Sequence, residues 1–149
     1  SDRVTEIGYL AFRYWSNLVS VDLGNTVRSI SNYAFEACTG LKDIVFSNSL
    51  EVIRDNSFGG CQSLEVLDFG ENLQTIKPWA LANLYKLHTI VFRSDPPVTF
   101  GDNVFGNGSS GGTNPQYVYA PDHLVTDYAY LINDVGYHGS CRPLSQYTG

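Results

Sequence analysis

Apolar residues recur along the first two thirds of the chain with a period of 23 residues. The clearest column consists of Ile7, Ile30, Ile53 and Ile76. Each of these residues begins a unit of the form I-x-x-x-(A/S)-(F/L)-x-x-(C/W/L)-x-x-L-x-x-(I/V/L)-x-(F/L). One more apolar column precedes the isoleucines, at Val4, Val27, Leu50 and Leu73. A fixed period of this length is typical of a solenoid, in which each unit forms one coil.

A single coil is too small to bury its own apolar side chains, so neighbouring coils must stack to form a common core. Within a unit, the spacing Leu41-x-x-Ile44-x-Phe46 predicts a short strand with Ile44 and Phe46 facing inward. A second extended stretch is predicted over residues 50–53. The intervening residues 34–38 are predicted to form one helical or 3₁₀ turn, and no long helix is expected in residues 1–98.

The pattern changes after residue 98. A fifth unit begins at Phe100 and Phe105, slips by one residue and then ends, and a Gly-rich loop follows over residues 106–115. Residues 116–120 predict a last strand, and Pro121 then predicts the start of a helix. The apolar stripe of that helix consists of Leu124, Val125, Tyr128, Leu131 and Ile132. We expect it to cap the stack, because open sheet edges aggregate. The tail, residues 136–149, is expected to pack irregularly.

The four units resemble the BspA-like leucine-rich repeats of bacterial surface proteins, which combine this period with an alanine–phenylalanine pair, a cysteine and a leucine–isoleucine strand. The resemblance covers residues 4–98. Volume-filling replacements occur at Trp15, Leu81 and Leu84. The end of the chain resembles the C-terminal module of gut Bacteroidales surface proteins with such repeats. The matching segments are residues 119–121, 127–130 and 143–147. The predicted fold is therefore a leucine-rich-repeat solenoid over residues 1–98 with a strand–helix cap in residues 99–149.

Charge and cysteine content reduce the number of function classes to be considered. The 149 residues carry a net charge of −6, and the nine lysines and arginines form no stripe. Phosphate binding needs clustered positive charge, so a nucleic-acid partner is not expected. No membrane-spanning apolar run is present. Cys38 and Cys61 share one column and are interpreted as buried thiols, with a disulfide or metal site as the alternative. Cys141 stands alone, and no zinc signature exists.

No constellation for catalysis or for a cofactor is evident. Asp22 and Asp68 occupy equivalent outward positions, but a coil separates them and leaves both in solvent. The three histidines, His88, His123 and His138, lie in unrelated contexts. We therefore expect neither an enzyme nor a metal centre. Residues 107–109 form an Asn-Gly-Ser glycosylation triplet, which is a weak signal.

The outward strand positions are the best candidate site. They form two rows, one of Ser20, Asp43, Val66 and Thr89, and one of Asp22, Val45, Asp68 and Val91, leading towards Tyr119. Exposed valines with flanking carboxylates would resemble an interface with an apolar centre and a polar rim. The alternative is that β-branched residues simply suit strands. The predicted ligand-binding residues are Asp43, Val45, Val66, Asp68, Thr89 and Val91.

Together with the resemblance, these rows suggest an extracellular or cell-surface module that binds a protein ligand of host or bacterial origin. A second hypothesis is glycan binding at Tyr117 and Tyr119, against the alternative that these rings pack the cap. A third is a passive spacer or cap in a longer surface protein. The first coil has no polar cap before Val4, so we expect further sequence upstream, including the signal or anchor.

Overall fold

The computed structural model describes residues 3–106, 112–137 and 139–149, and its chain winds through coils that each contribute two short strands. The first strands of the coils are β1 (Glu6–Ile7), β3 (Ser29–Ile30), β5 (Val52–Ile53), β7 (Thr75–Ile76) and β9 (Thr99–Phe100). The second strands are β2 (Ser20–Asp22), β4 (Asp43–Val45), β6 (Val66–Asp68), β8 (Thr89–Val91) and β10 (Tyr117–Ala120). The helix α1 (Val125–Asp134) and a final strand β11 (Cys141–Pro143) follow.

The first strands form a continuous five-stranded parallel sheet, which we call the isoleucine sheet. Ile7 pairs with Ile30, Ile30 with Ile53, and Ile53 with Ile76. The sheet then continues across the one-residue slip, because Ile76 pairs with Phe100. Ile30, Ile53 and Ile76 are fully buried. The predicted solenoid is therefore confirmed, since its isoleucines are stacked in register.

The second strands are also parallel, but they form two separate sheets. β2 pairs with β4, while β6, β8, β10 and β11 form a four-stranded sheet. No ladder joins β4 to β6 among the described residues. The outward side of these two sheets is the strand face, and the break divides it into two parts.

The segments between the two strands of a coil are hydrogen-bonded turns rather than the helical or 3₁₀ turns that we predicted. Each of the first four coils places two residues in the left-handed region: Leu10 and Tyr14, Tyr33 and Ala37, Asn56 and Gly60, and Trp79 and Asn83. These residues reverse the direction of the chain within a few positions, so no helix can propagate. The turns pair between coils instead, as the Phe12 N–H donates to the Ala34 carbonyl at 2.7 Å and the Phe35 N–H to the Ser57 carbonyl at 2.8 Å.

Two ladders of aromatic rings run through the core. In the first, the rings of Phe12, Phe35 and Phe58 lie nearly parallel with centroids 5.2 Å apart at each step. In the second, Phe46, Phe69 and Phe92 follow one another at 4.9 and 5.7 Å. Coil-on-coil stacking thus places equivalent side chains in contact, as expected for a repeat protein.

The C-terminal cap closes one end of the stack. Before α1, the chain forms a 3₁₀ turn over Asp122–Leu124, so Pro121 precedes a short 3₁₀ segment and the α-helix begins at Val125. Tyr128 and Ile132 of the helix are buried against the last coil. The expectation of an irregular tail is wrong, because β11 pairs with β10 and a 3₁₀ turn follows at Leu144–Gln146. Pairing at the sheet edge satisfies backbone N–H and C=O groups. It requires no periodic apolar residues, so the apolar pattern of the tail does not reveal it.

The first coil exposes members of columns that are interior elsewhere. Trp15 is 55% exposed, whereas Cys38 and Cys61 in the same column are fully buried. Phe12 begins the first aromatic ladder and is half-buried. A cavity of about 490 Å³ at this end is lined by Val4, Ile7, Phe12, Val27 and neighbouring residues.

Candidate binding surface

The two rows predicted on the strand face exist in the expected register. Ser20 lies beside Asp43 and Asp22 beside Val45 across β2 and β4. Across β6 and β8, Val66 lies beside Thr89 and Asp68 beside Val91. The second row then reaches Tyr119 of β10 and Arg142 of β11. The six predicted residues therefore share one surface, interrupted between β4 and β6.

The interruption forms a shallow groove of about 330 Å³ on the strand face. Val45 lies at its rim, and Phe46 and Phe69 form its apolar floor. Asn48, Asp68 and Arg93 supply its polar lining. An apolar floor beside polar groups is the composition of a small recognition pocket.

The expectation that Val91 and Thr89 are exposed is wrong. Val91 is fully buried and Thr89 is 7% exposed. Val91 lies between Asp68 and Tyr119, and Tyr147 of the tail packs on Tyr119 with ring centroids 5.1 Å apart. Thr89 lies between Val66 and Tyr117, and its hydroxyl group is hydrogen-bonded to the His88 ring at 2.8 Å. Bulky neighbours at the C-terminal end of the rows thus remove both residues from solvent.

Asp68 is held in an ion pair rather than left free. Arg93 donates from Nε and Nη2 to its two carboxylate oxygens at 2.7 and 3.0 Å. The hydrogen bond to Asp68 raises the pKa of Arg93, against a smaller lowering by burial. Such a bidentate pair fixes both side chains in one geometry, so Asp68 is a wall of the groove and its charge is neutralised locally.

The accessible part of the predicted site lies on β4. Val45 is 58% exposed on β4, the edge strand beside the interruption. Asp43 is exposed two residues earlier on the same face. Asp22 is also exposed, and one of its oxygens accepts a hydrogen bond from the Gly24 N–H at 2.9 Å. Val66, on the far side of the interruption, is half-buried.

The tyrosines predicted to contact a glycan have part of their ring surface covered. Tyr117 and Tyr119 are both half-buried outward residues of β10. The guanidinium group of Arg142 lies 4.8 Å from the centre of the Tyr117 ring, and Tyr147 packs on Tyr119. These contacts cover part of each ring and tie β11 and the tail to β10.

Exposed aromatic residues that the sequence analysis did not select lie on the turns of coil 1. Tyr9 and Tyr14 are 65% and 63% exposed. Arg13 lies between them in sequence and forms an ion pair with Glu36 of coil 2. Both tyrosines fall outside the apolar columns of the repeat, and this position in the sequence could have identified them as surface residues.

The other candidate groups are dispersed. His123 bonds Asp95 at 2.8 Å and joins the cap to the loop before it, far in sequence from His88. His138 and the Asn107–Ser109 triplet lie outside the described residues. Within the described ranges, no group of three or more His, Cys, Asp or Glu side chains could hold a metal ion. No helix there is long and apolar enough to cross a membrane.

Cys38 and Cys61 are fully buried free thiols, as the sequence suggested. Each Sγ donates to a carbonyl oxygen of the preceding coil, Cys38 to Phe12 and Cys61 to Phe35, both at 3.0 Å. The interaction with the Cys38 thiol, followed by burial, raises the pKa of Cys61, and the same interaction lowers the pKa of Cys38. Burial raises the pKa of Cys141 to about 11. The full burial of Cys38 and Cys61 and the raised pKa of Cys141 are typical of structural rather than reactive thiols.

Short parallel strands, a 23-residue coil and stacked isoleucines and phenylalanines define a leucine-rich solenoid that presents an open strand face. The family model described as "BspA type Leucine rich repeat region" matches residues 1–110 in six copies. The chain therefore belongs to the BspA-type leucine-rich repeat family. No curated protein matches the chain.

Solved structures with the same fold come from bacteria. A leucine-rich repeat protein of T. pallidum is 28% identical, with a TM-score of 0.66, over 78% of this chain and 52% of that one. A leucine-rich cell surface protein from Faecalibacterium prausnitzii A2-165 is 34% identical, with a TM-score of 0.57, over 59% of this chain and 23% of that one. A leucine-rich repeat protein from Bacteroides ovatus ATCC 8483 shares the fold at 17% identity and a TM-score of 0.56, over 93% and 39% of the two chains. This chain spans about half of the first neighbour's length and less of the others.

Proposed function

We propose that this chain is a non-enzymatic module of the bacterial cell surface that binds a protein ligand through the strand face around β4. The exposed side chain of Val45 carries the proposal, because it lies beside an apolar-floored groove and between the carboxylates of Asp22 and Asp43. An apolar centre with a polar rim is the usual anatomy of a protein interface. Membership of the BspA-type family and the likeness to a cell surface protein support the location.

The proposal assigns different roles to the six predicted residues. Val45 and Asp43 would contact the ligand directly, with Asp68 at the far wall of the groove and Val66 two residues before it on β6. Val91 and Thr89, being buried between their row neighbours, would hold these neighbours in place without contacting the ligand. The partner would offer an apolar side chain to the groove and a basic group to Asp43, since opposite charges favour encounter and register.

A pair of valines provides a matched test. Val45 and Val52 are both outward residues of short strands, but Val52 lies on the isoleucine sheet. Wild-type protein, Val45→Lys, Asp43→Lys and Val52→Lys would be compared by biolayer interferometry against fibronectin, laminin, type IV collagen and the surface proteins of co-resident bacteria. We expect binding to weaken by about tenfold or more in the first two variants and to persist in Val52→Lys, since central interface residues dominate affinity.

Melting temperatures separate a lost contact from a lost fold. Asp43 and Val45 face solvent, so their variants should melt close to the wild type. Reversal of Asp68 is unsuitable, because it would leave Arg93 without its partner. Equal losses in Val45→Lys and Val52→Lys, or no binding by the wild type to any of these proteins, would contradict the proposal and favour a passive spacer or cap.

A further inference from the structure

Five side chains on the turns of coils 1 and 2 form an ordered aromatic and charged group, the Arg13 cluster: Tyr9, Arg13, Tyr14, Tyr33 and Glu36. The guanidinium carbon of Arg13 lies 4.5 Å from the centre of the Tyr14 ring and 5.4 Å from that of Tyr33. Arg13 Nε donates to the Glu36 carboxylate. Tyr9 meets Tyr33 edge to face at 6.3 Å. The arginine is thereby fixed by two rings and a carboxylate.

The cluster occupies positions that stay at the surface when coils stack. The residues equivalent to Tyr14 in later coils are Ala37, Gly60 and Asn83, and none of them is buried although a coil covers each on either side. The same holds for Asn32 and Asp55, which are equivalent to Tyr9. Trp15 differs, because its column is interior in every later coil. It is therefore left out of the cluster.

At two of these positions the backbone conformation disfavours a tyrosine. Tyr14 and Tyr33 have φ values of 63° and 59°, where a bulky residue is strained. Other coils use Gly60 and Asn83 at the first position and Asn56 at the second, which suit that conformation. Strain alone marks no site, since Leu10 and Trp79 share it. What distinguishes Tyr14 and Tyr33 is that both strained rings flank the same guanidinium group.

The chemistry of the cluster favours a neutral ligand. The Arg13 charge is already balanced by Glu36, so an anion gains little there. Yet the guanidinium N–H groups outside that bond and the carboxylate lone pairs offer donors and acceptors side by side. The exposed rings of Tyr9 and Tyr14 and the half-buried ring of Tyr33 add apolar surface next to them. A pyranose ring presents the matching pattern, with C–H groups on its faces and hydroxyl groups around its edge that both donate and accept.

We propose that the Arg13 cluster is a binding site for neutral carbohydrate, with Tyr14 and Tyr33 as stacking surfaces and the Arg13–Glu36 pair bonding sugar hydroxyl groups. The site is separate from the strand face, and it does not depend on the protein-binding function proposed above. Its small size suits one to three sugar units of a longer glycan better than the broad contact of a folded protein partner.

Native affinity electrophoresis in gels containing amylopectin, barley β-glucan, xylan or galactomannan tests the site. We expect at least one neutral polysaccharide to retard the wild-type protein. Tyr14→Asn and Tyr33→Asn should weaken that retardation by about tenfold, a loss that would correspond to one stacking contact and its associated hydrogen bonds. Both changes introduce a residue that the chain already carries at the equivalent position of another coil, Asn83 and Asn56. The melting temperature should therefore be kept or raised.

Tyr85→Asn is the matched control, because Tyr85 is 55% exposed on coil 4, outside the cluster. The retardation, taken as the mobility with polysaccharide relative to that without it, should match the wild type in this variant and also in Val45→Lys, which changes only the strand face. Absence of retardation in all four gels would overturn the proposal. So would retardation that survives both Tyr→Asn changes.

Discussion

Tyr128 lies on Phe92 with ring centroids 5.0 Å apart and planes 21° from parallel, so the cap helix supplies the next ring of the second aromatic ladder. Its hydroxyl group donates to the Ser94 carbonyl at 2.9 Å and accepts from the Val98 N–H at 3.2 Å. Burial raises the pKa of Tyr128 to about 12. One side chain therefore extends the core and fastens the loop after β8.

Tyr128→Phe should keep the ring contact and lose both hydrogen bonds. The Ser94 carbonyl and the Val98 N–H would be left without their partner in a buried place, which typically costs about 1–3 kcal/mol in the free energy of unfolding. Urea denaturation measures the loss. Tyr130→Phe is the control, because Tyr130 is 74% exposed on the same helix, and it should change little. Equal effects of the two substitutions would refute the anchoring role of Tyr128.

Ala37 and Gly60 occupy one left-handed position in consecutive coils, with φ of 57° and 77°. An L-residue there costs about 1–2 kcal/mol, whereas glycine costs about 0.5–1 kcal/mol of chain entropy. Ala37→Gly should therefore stabilise the protein by about 0.5–1 kcal/mol. Gly60→Ala should destabilise it by a similar amount, because a Cβ there meets the nearest atom only at 3.7 Å and adds strain without a clash.

Thermal and urea unfolding of the two variants would measure these opposite changes. Ala129→Gly in α1 provides a further control, since glycine in a helix destabilises by about 1 kcal/mol. A loss of stability in Ala37→Gly would show that the turn does not hold Ala37 under strain.

The register of the solenoid was predictable from the period, whereas the environment of single residues was not. Equal spacing alone pairs Ile53 with Ile76 and Asp68 with Val91, because each coil repeats the same path. Val91 is flanked by Tyr119, and Tyr147 packs on that ring only after the tail folds back beside β10. The Arg93–Asp68 pair spans 25 residues rather than one period and so crosses between columns.

The turns and the break in the strand face also escaped prediction for a physical reason. Side-chain columns report which residues face the core, but left-handed backbone at Tyr14 or Trp79 leaves no apolar signature. The missing ladder between β4 and β6 is also a feature of the backbone. The apolar columns of these two coils are regular there, so the side-chain pattern does not show the break. The break matters for the proposed site, because the groove beside Val45 is lined by residues from both sides of it.

Asp122 ties the tail to the cap in a manner that should depend on pH. Its carboxylate accepts a hydrogen bond from the Ser145 N–H at 2.9 Å, and hydrogen bonding to Ser145 lowers the pKa of Asp122. A group with a lowered pKa in the folded state stabilises that state above its unfolded pKa. The contribution is lost as the pH falls through the lower, folded value.

Asp122→Asn removes this titration and keeps an acceptor oxygen for Ser145. We expect the wild type to melt above Asp122→Asn at pH 6, and the difference to vanish as the pH falls below the usual aspartate range of about 4. Differential scanning fluorimetry across this range measures it. A gap that stays constant down to acidic pH would exclude the carboxylate charge as its cause.

The three thiols should differ sharply in reactivity. Cys38 and Cys61 are fully buried and donate to carbonyl oxygens, so a reagent cannot reach either sulfur in the folded protein, although the interaction with Cys61 lowers the pKa of Cys38. Cys141 lies at the edge strand β11 and is half-buried. Brief iodoacetamide treatment of the native protein at neutral pH should therefore modify Cys141 first and slowly, and Cys38 and Cys61 only after urea is added.

Mass spectrometry of the non-reduced protein should find all three thiols free. A peptide in which Cys38 is disulfide-linked to Cys61, or rapid labelling of either thiol in the native protein, would contradict this prediction. Trp15 and Leu84 occupy the same column, which indicates that the position requires a side chain of sufficient volume rather than a reactive thiol.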